Sequence, residues 1–133
     1  MADTTATKAR TITKIEIITR SSKLDDLVQA LNEIGVLGMT VSQVFGSGLQ
    51  RGHKEVYRGQ EYKINLVPKI KVETVVCEVP VELVLQTAQQ VLRTGEFGDG
   101  KIFVTELTNA VRIRTGHRGP EAIMDIPGEK RQE

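Results

Sequence analysis

Four places in this 133-residue chain gather the residue types that hold an anion. Gly46-x-Gly48, with Gly52 beyond it, opens a polar stretch. Glycine there lets successive backbone N–H groups converge on a ligand with no side chain in the way, although the same residues also make a plain loop. The second is Gly95-Glu96-Phe97-Gly98-Asp99-Gly100-Lys101, which follows a predicted helix rather than opening one. It therefore lacks the context of a P-loop and reads equally as a phosphate-holding turn or as a helix cap with a tight turn. In the third, Val111-Arg112-Ile113-Arg114, strand alternation puts both guanidinium groups on one face. Paired arginines suit phosphate oxygens; a solvated strand face is the alternative. The fourth is Lys69, Lys71 and Glu73, sharing one face of a predicted strand that begins where the polar stretch ends. A ligand at the root of that stretch would meet Lys69; otherwise the row is a charged face in water.

Composition narrows what these clusters do. Eighteen basic and 17 acidic residues nearly cancel, so no overall field steers the chain toward nucleic acid or an anionic membrane. Trp is absent, and two Tyr and three Phe leave few platforms for stacking bases. The single cysteine, Cys77, forbids an intrachain disulfide and reads as a small buried apolar residue. His53 and His117 are the only histidines, which argues against a structural zinc site. Neither a Ser-His-Asp order, nor paired catalytic carboxylates, nor an activated Cys is evident. A phosphotransferase built on Lys101 and the arginines would lack a general base. Met1 to Arg10 is polar and threonine-rich, unlike a secretory signal, and no run is long enough to span a bilayer. A soluble cytoplasmic protein with a disordered extension over 1–10 is the expectation.

The elements that must position these residues follow from periodicity. Ile12 to Thr19 is a β-branched strand with Ile15 and Ile17 on one face and Ile12 and Ile18 on the other. Ser22, with Asp25 three residues on, predicts a capping box ahead of a helix striped by Leu24, Leu27, Val28, Leu31 and Ile34 and closed by Gly35. A second strand over Met39–Phe45 runs into a 17-residue arm, Gly46 to Tyr62. A loop that long inside one domain is more often functional or disordered than idle. Strand character returns from Tyr62 through Cys77, with Pro68 marking an edge, bend or bulge. Pro80 precedes a helix striped by Val81, Val84, Leu85, Ala88, Val91 and Leu92 and closed near Gly95. A fourth strand covers Ile102–Leu107 and a short fifth Val111–Thr115; from Gly116 the chain is expected to be a mobile tail. The order β-α-β-β-α-β predicts a ferredoxin-like α+β sandwich over 11–116, with the arm at 46–62 and a flexible tail at 117–133. Helices on one face leave the other face uncovered, and apolar residues there predict self-association.

Together, the blocks Gly46-x-Gly48-x-Gln50-x-Gly52-His53, Tyr57-Arg58-Gly59-x-Glu61-Tyr62, Pro68-Lys69-x-Lys71, Gly98-Asp99-Gly100-Lys101-Ile102-Phe103-Val104 and Arg112-Ile113-Arg114-Thr115-Gly116 closely resemble the PII nitrogen-signalling proteins, from about Ile12 to Ile123. The resemblance implies a homotrimer whose arm is the family's T-loop, with clefts between subunits that bind ATP or ADP, and then 2-oxoglutarate through Mg2+. It implies a regulator rather than an enzyme, docking on an ammonium transporter or a nitrogen-metabolism enzyme, with no nucleic acid partner and no direct insertion into the membrane. Any membrane association would come through a transporter partner. By position, Gly98, Asp99, Gly100 and Lys101 match the phosphate loop, and Arg112 and Arg114 match arginines that reach the same nucleotide from the neighbouring subunit. Thr40, Gly46, Gly48, Glu73 and Val75 fall where the family lines the adenosine and the arm's root. Gln50 matches the magnesium ligand, Lys69 the lysine on 2-oxoglutarate, and backbone from Gln50 through Arg51 to Gly52 completes that acid's site.

By formal charge, ATP at about −4, 2-oxoglutarate at about −2 and one magnesium leave roughly −4, which an enclosing pocket must match with cations. Lys69, Lys101, Arg112 and Arg114 supply them. Departures from the family pattern are also visible. Leu49 replaces a frequent arginine, and Arg20-Ser21-Ser22 stands for the usual Lys-Pro-Phe. Gln60 occupies the serine that cyanobacterial members phosphorylate, whereas Tyr62 matches the tyrosine that some bacteria uridylylate. The segment from His117 to Glu133 differs as well. A divergent PII-like regulator, sensing another nucleotide or a small anion, is the alternative that Leu49 keeps open.

Overall fold

Alternation along Ile12–Thr19 (β1) is resolved in the computed structural model, which describes residues 11–48 and 65–124. Thr13, Ile15, Ile17 and Thr19 are buried beneath the helices, while Lys14, Glu16 and Ile18 face the other way and stay half-exposed. β1 lies inside a four-stranded antiparallel sheet of order β2-β3-β1-β4, where β2 is Thr40–Gly48, β3 is Asn65–Val76 and β4 is Lys101–Leu107. Helices α1 (Leu24–Glu33) and α2 (Val81–Leu92) cover one face, completing the expected β-α-β-β-α-β order. Among the described residues, no helix is long and apolar enough to cross a membrane.

The core is the meeting of period two with period 3.6. Ile15, Ile17, Ile70, Val72 and Val76 come from the sheet, Leu27 and Leu31 from α1, and Val84, Ala88 and Leu92 from α2. Gly35, at φ +100°, ends α1: its N–H reaches Asn32 O at 3.0 Å and the Val36 N–H reaches Leu31 O at 2.9 Å. That is a Schellman closure, and it folds Val36 back onto Leu31 in the core. The capping box does not form. Ser21–Lys23 is a 3-10 turn continuous with α1, so Ser22 lies within helical backbone, and Lys23 at the cap position makes no side-chain cap bond. Lys23 instead donates to Val91 O at 3.3 Å, placing its cation on the final turn of α2.

Two further boundaries differ from expectation. β2 does not stop at Phe45: Gly46, Ser47 and Gly48 pair with Val67, Leu66 and Asn65. Backbone pairing needs no apolar period, so a hairpin can extend through glycine when its partner strand continues. Among the described residues no fifth strand forms either. A single bridge joins Val111 to Arg118, the chain turns at Ile113–Thr115, and Gly116 at φ +81° sends its N–H back to Arg112 O at 2.7 Å. Beyond it, Gly119–Ala122 forms a 3-10 turn, so the described segment after Gly116 is folded rather than a tail. Expectations for 1–10, for Leu49 to Tyr62 and for 125–133 lie outside the described residues.

The uncovered face is mixed rather than uniformly apolar. Lys14–Glu73, Lys71–Glu16 and Lys71–Glu73 are each 3.8 Å apart across β1 and β3, and Phe103 beside them is 48% exposed. Leu31→Ala, at a fully buried position, is expected to destabilise the fold by about 2–5 kcal/mol in urea denaturation.

Candidate functional site

Between α2 and β4 the chain must turn within a few residues. It does so with Gly95, Gly98 and Gly100 at φ +89°, +99° and +105°. The last position admits no side chain: a Cβ on Gly100 would lie 1.9 Å from Ile18 O. The loop is therefore pressed backbone to backbone against the end of β1.

Asp99 organises this loop from within. Its Oδ2 accepts the N–H groups of Thr94 and Gly95 at 2.8 and 2.9 Å. Its Oδ1 accepts the Thr94 hydroxyl at 2.6 Å and Arg20 Nη2 at 2.8 Å. Its carbonyl accepts the hydroxyl of Thr19, a fully buried side chain, at 2.8 Å. The Thr94 hydroxyl and then the Arg20 guanidinium hold the Asp99 carboxyl far below the usual carboxylate range. The side chain is committed to the protein, so any ligand contact at this position would fall to the backbone.

A cleft of about 490 Å³ opens beside the loop, lined by Ile18, Gly46, Lys69, Glu96, Gly98, Asp99, Gly100, Lys101 and Phe103. Three of the four sequence clusters thus contribute to one place. β3 carries Lys69 there, β2 carries Gly46, and the loop brings Gly98, Gly100 and Lys101. The Lys69 stem passes near Gly46, where an added Cβ would be 3.7 Å from Lys69 Cγ, and its ammonium donates to Gly98 O at 3.1 Å. Two lysines, backbone amides and the Phe103 ring suit a phosphorylated ligand. The described lining holds no His, Cys, Ser or Thr.

Other candidates lie elsewhere in the chain. Val75 lines a separate cavity of about 180 Å³ with Gly35–Gly38, Cys77, Ile123 and Met124. Thr40 sits opposite Glu73 in the β2–β3 register, and Glu73 faces Lys14 and Lys71. Gly48 ends β2, paired with Asn65. Arg112 and Arg114 do not line the phosphate-suited cleft of their own chain. Arg112 sends Nε to Ala122 O at 3.2 Å and Nη2 to Met124 O, bracing the segment after Gly116. The turn at Ile113–Thr115 removes the shared strand face expected for the two arginines. Gln50, Arg51, Gly52 and Tyr62 lie outside the described residues. Sequence reasoning marked Arg20 only as a departure and passed over Thr19 and Thr94; Thr19 and Arg20 lie about 80 positions from Asp99, so no local pattern joins them to the loop.

The family model for nitrogen regulatory protein P-II matches residues 12–117. A nitrogen regulatory PII-like protein of Bacillus subtilis is 50% identical over 110 residues, spanning 83% of this chain and 95% of that one. A nitrogen regulatory protein P-II of Rhodospirillum rubrum is 49% identical over 110 residues, spanning 83% and 98%. Among solved structures, the B. subtilis GlnK–ATP complex superposes with a TM-score of 0.75 at 49% identity, covering 84% of this chain and 97% of that one.

Gly100→Ala should lower stability by about 1–3 kcal/mol or more, read as a shift of the urea midpoint, because neither its φ nor the Ile18 carbonyl leaves room. Asp99 supplies a pH test. A carboxylate whose folded pKa is depressed stabilises the fold fully above its unfolded value, about 3.9, and loses that contribution as pH falls further. The stability gap between wild type and Asp99→Asn should stay level from about pH 8 to pH 5 and narrow below about pH 4.

Proposed function

Because the chain belongs to the nitrogen regulatory P-II family, whose members are regulators rather than enzymes, we propose that it senses adenine nucleotide and 2-oxoglutarate and passes the result to a protein partner through the arm 46–62. The observation that carries this reading is the convergence of Lys69, Lys101, Gly98 and Gly100 on one cleft at the arm's root. A relative solved with ATP makes that nucleotide the first ligand to offer.

Gly98, Gly100 and Lys101 hold the phosphates of ATP or ADP, and Arg112 and Arg114 reach them from an adjacent subunit. Their distance from the cleft within their own chain favours that division. Thr40, Gly46, Gly48, Glu73 and Val75 line the adenosine and the root of the arm. The working unit is a homotrimer, and the half-exposed Phe103 on the uncovered sheet face supports burial against further copies. Among the described residues no cluster of His, Cys, Asp or Glu suits a metal. Mg2+ would take oxygen from the phosphates, the 2-oxo acid and the Gln50 side chain, in keeping with its preference for such ligands. Lys69 and backbone from Gln50 through Arg51 to Gly52 bind 2-oxoglutarate, so that acid waits for ATP and Mg2+. Its capture redistributes the arm's conformations and thereby the choice of partner. The partner is an ammonium transporter or a nitrogen-metabolism enzyme, met in the cytoplasm or at the membrane it faces, and Tyr62 is a candidate for modification.

Native mass measurement should give a trimer. Titration calorimetry should show ATP and ADP binding, with 2-oxoglutarate heat only when ATP and Mg2+ are both present. Lys69→Ala should abolish the 2-oxoglutarate heat and spare ADP; equal loss of both would contradict the role given to Lys69. A monomer indifferent to millimolar ATP would end the proposal, and ATP binding without any 2-oxoglutarate response would favour a sensor of another small anion.

A further inference from the structure

Arg20 is the first residue after β1, in a triplet that departs from the resembled pattern. Its guanidinium lies behind the loop at residues 94–100, where Nη2 sits among three oxygens: Asp99 Oδ1 at 2.8 Å, Phe97 O at 3.1 Å and Thr94 Oγ1 at 3.4 Å. Gly98 packs on the same group, since an added Cβ would be 3.1 Å from Arg20 Nη1. The adjacent Thr19 hydroxyl holds Asp99 O. Two consecutive residues of β1's end thus grip both the carboxylate and the carbonyl of Asp99. Arg20 does not line the cleft that Lys69 and Lys101 share. Whatever it contributes to a ligand passes through the loop.

We propose that Arg20 is the positioning residue of the phosphate-holding loop: clamping Asp99, Phe97 and Thr94 from behind, it sets the angle at which the backbone of Gly98–Lys101 meets a nucleotide. The proposal rests on the nucleotide reading above. Three features of the geometry support it. The glycines that adapt this backbone to an anion also leave it conformationally loose, so the loop needs external fixing. Arg20 supplies that fixing with a planar, permanently charged group, which a lysine's single ammonium does not reproduce. The pairing also neutralises Asp99, the carboxylate that would otherwise repel phosphate from the cleft's edge.

The test is Arg20→Ala in the full-length protein, read two ways. By calorimetry, ATP and ADP should bind at least about tenfold more weakly, equivalent to one decade in Kd. Amide hydrogen exchange at Thr94 and Gly95, whose N–H groups bond Asp99, should quicken while the urea midpoint stays near wild type. Guanidinium ion at low millimolar concentration should partly restore ATP affinity, with sodium at equal ionic strength as the control, and Arg20→Lys should restore it only in part. Asp99→Asn, which keeps the side chain's shape, should reproduce the weaker nucleotide binding and the quicker exchange at Thr94 and Gly95, and serves if Arg20→Ala fails to fold. Unchanged nucleotide affinity overturns the proposal. So does weakened affinity with undisturbed exchange at Thr94 and Gly95, because the loop would then not be the route. A wild-type protein that ignores ATP defeats the nucleotide reading and this proposal with it, while the exchange pattern separately reports whether the clamp exists.

Discussion

The register of β1 against its two neighbours decides where everything else can be. Ile18 stands across from Lys71 on one side and from Lys101 on the other, so the arm-bearing hairpin and the glycine loop reach the same end of the sheet. A slip of one residue would turn every β1 side chain to the opposite face, exposing Ile15 and Ile17 and burying Lys14 and Glu16. The hydrophobic core therefore enforces the alignment that the cleft requires. The core and the cleft share that one pairing, although the β1 residues that line each point in opposite directions.

At the cleft, charges are sorted by what they can reach. Asp99 spends its carboxylate on Arg20, Thr94 and two backbone N–H groups, leaving Lys69 and Lys101 as the cations beside the glycine backbone, with Glu96 the other acidic residue in the lining. Lys14, Glu16, Lys71 and Glu73 balance one another farther along the open face at 3.8 Å, an arrangement worth only about 0–1 kcal/mol per pair. Weak pairs of this kind separate easily. The loop clamp is different: its groups are short-bonded and tied to the closely apposed backbone of Gly100.

Periodicity was a sound guide wherever one face meets a core. β1, α1 and α2 follow their apolar patterns closely, because burial punishes a misplaced residue. Sequence reasoning failed where backbone geometry or distant partners decide. Gly46–Gly48 extends β2 because Asn65–Val67 lies opposite, a fact invisible in the glycines themselves. Arg112 and Arg114 alternate like strand residues, yet the turn closed by Gly116 breaks the strand. Ser22 offered a cap that the preceding 3-10 turn made unnecessary. Lys69, Gly98, Gly100 and Lys101, which line one cleft, stand out in the sequence as parts of a pattern of blocks, whereas the clamp on Asp99 joins Thr19 and Arg20 to a residue about 80 positions away and leaves no periodic trace.

β2 and β3 run past the end of β1, whose last rung joins Thr19 to Ile70. From Phe45–Pro68 to Gly48–Asn65 the hairpin is a bare two-stranded ribbon, with Phe45 and Leu66 largely in solvent. Such a ribbon has little stability of its own. It can unzip from its far end, rung by rung, without loosening a single buried contact of the sandwich. The base of the limb is thus a latch set apart from the house wiring: it can open and reclose many times while the globule beneath keeps its shape.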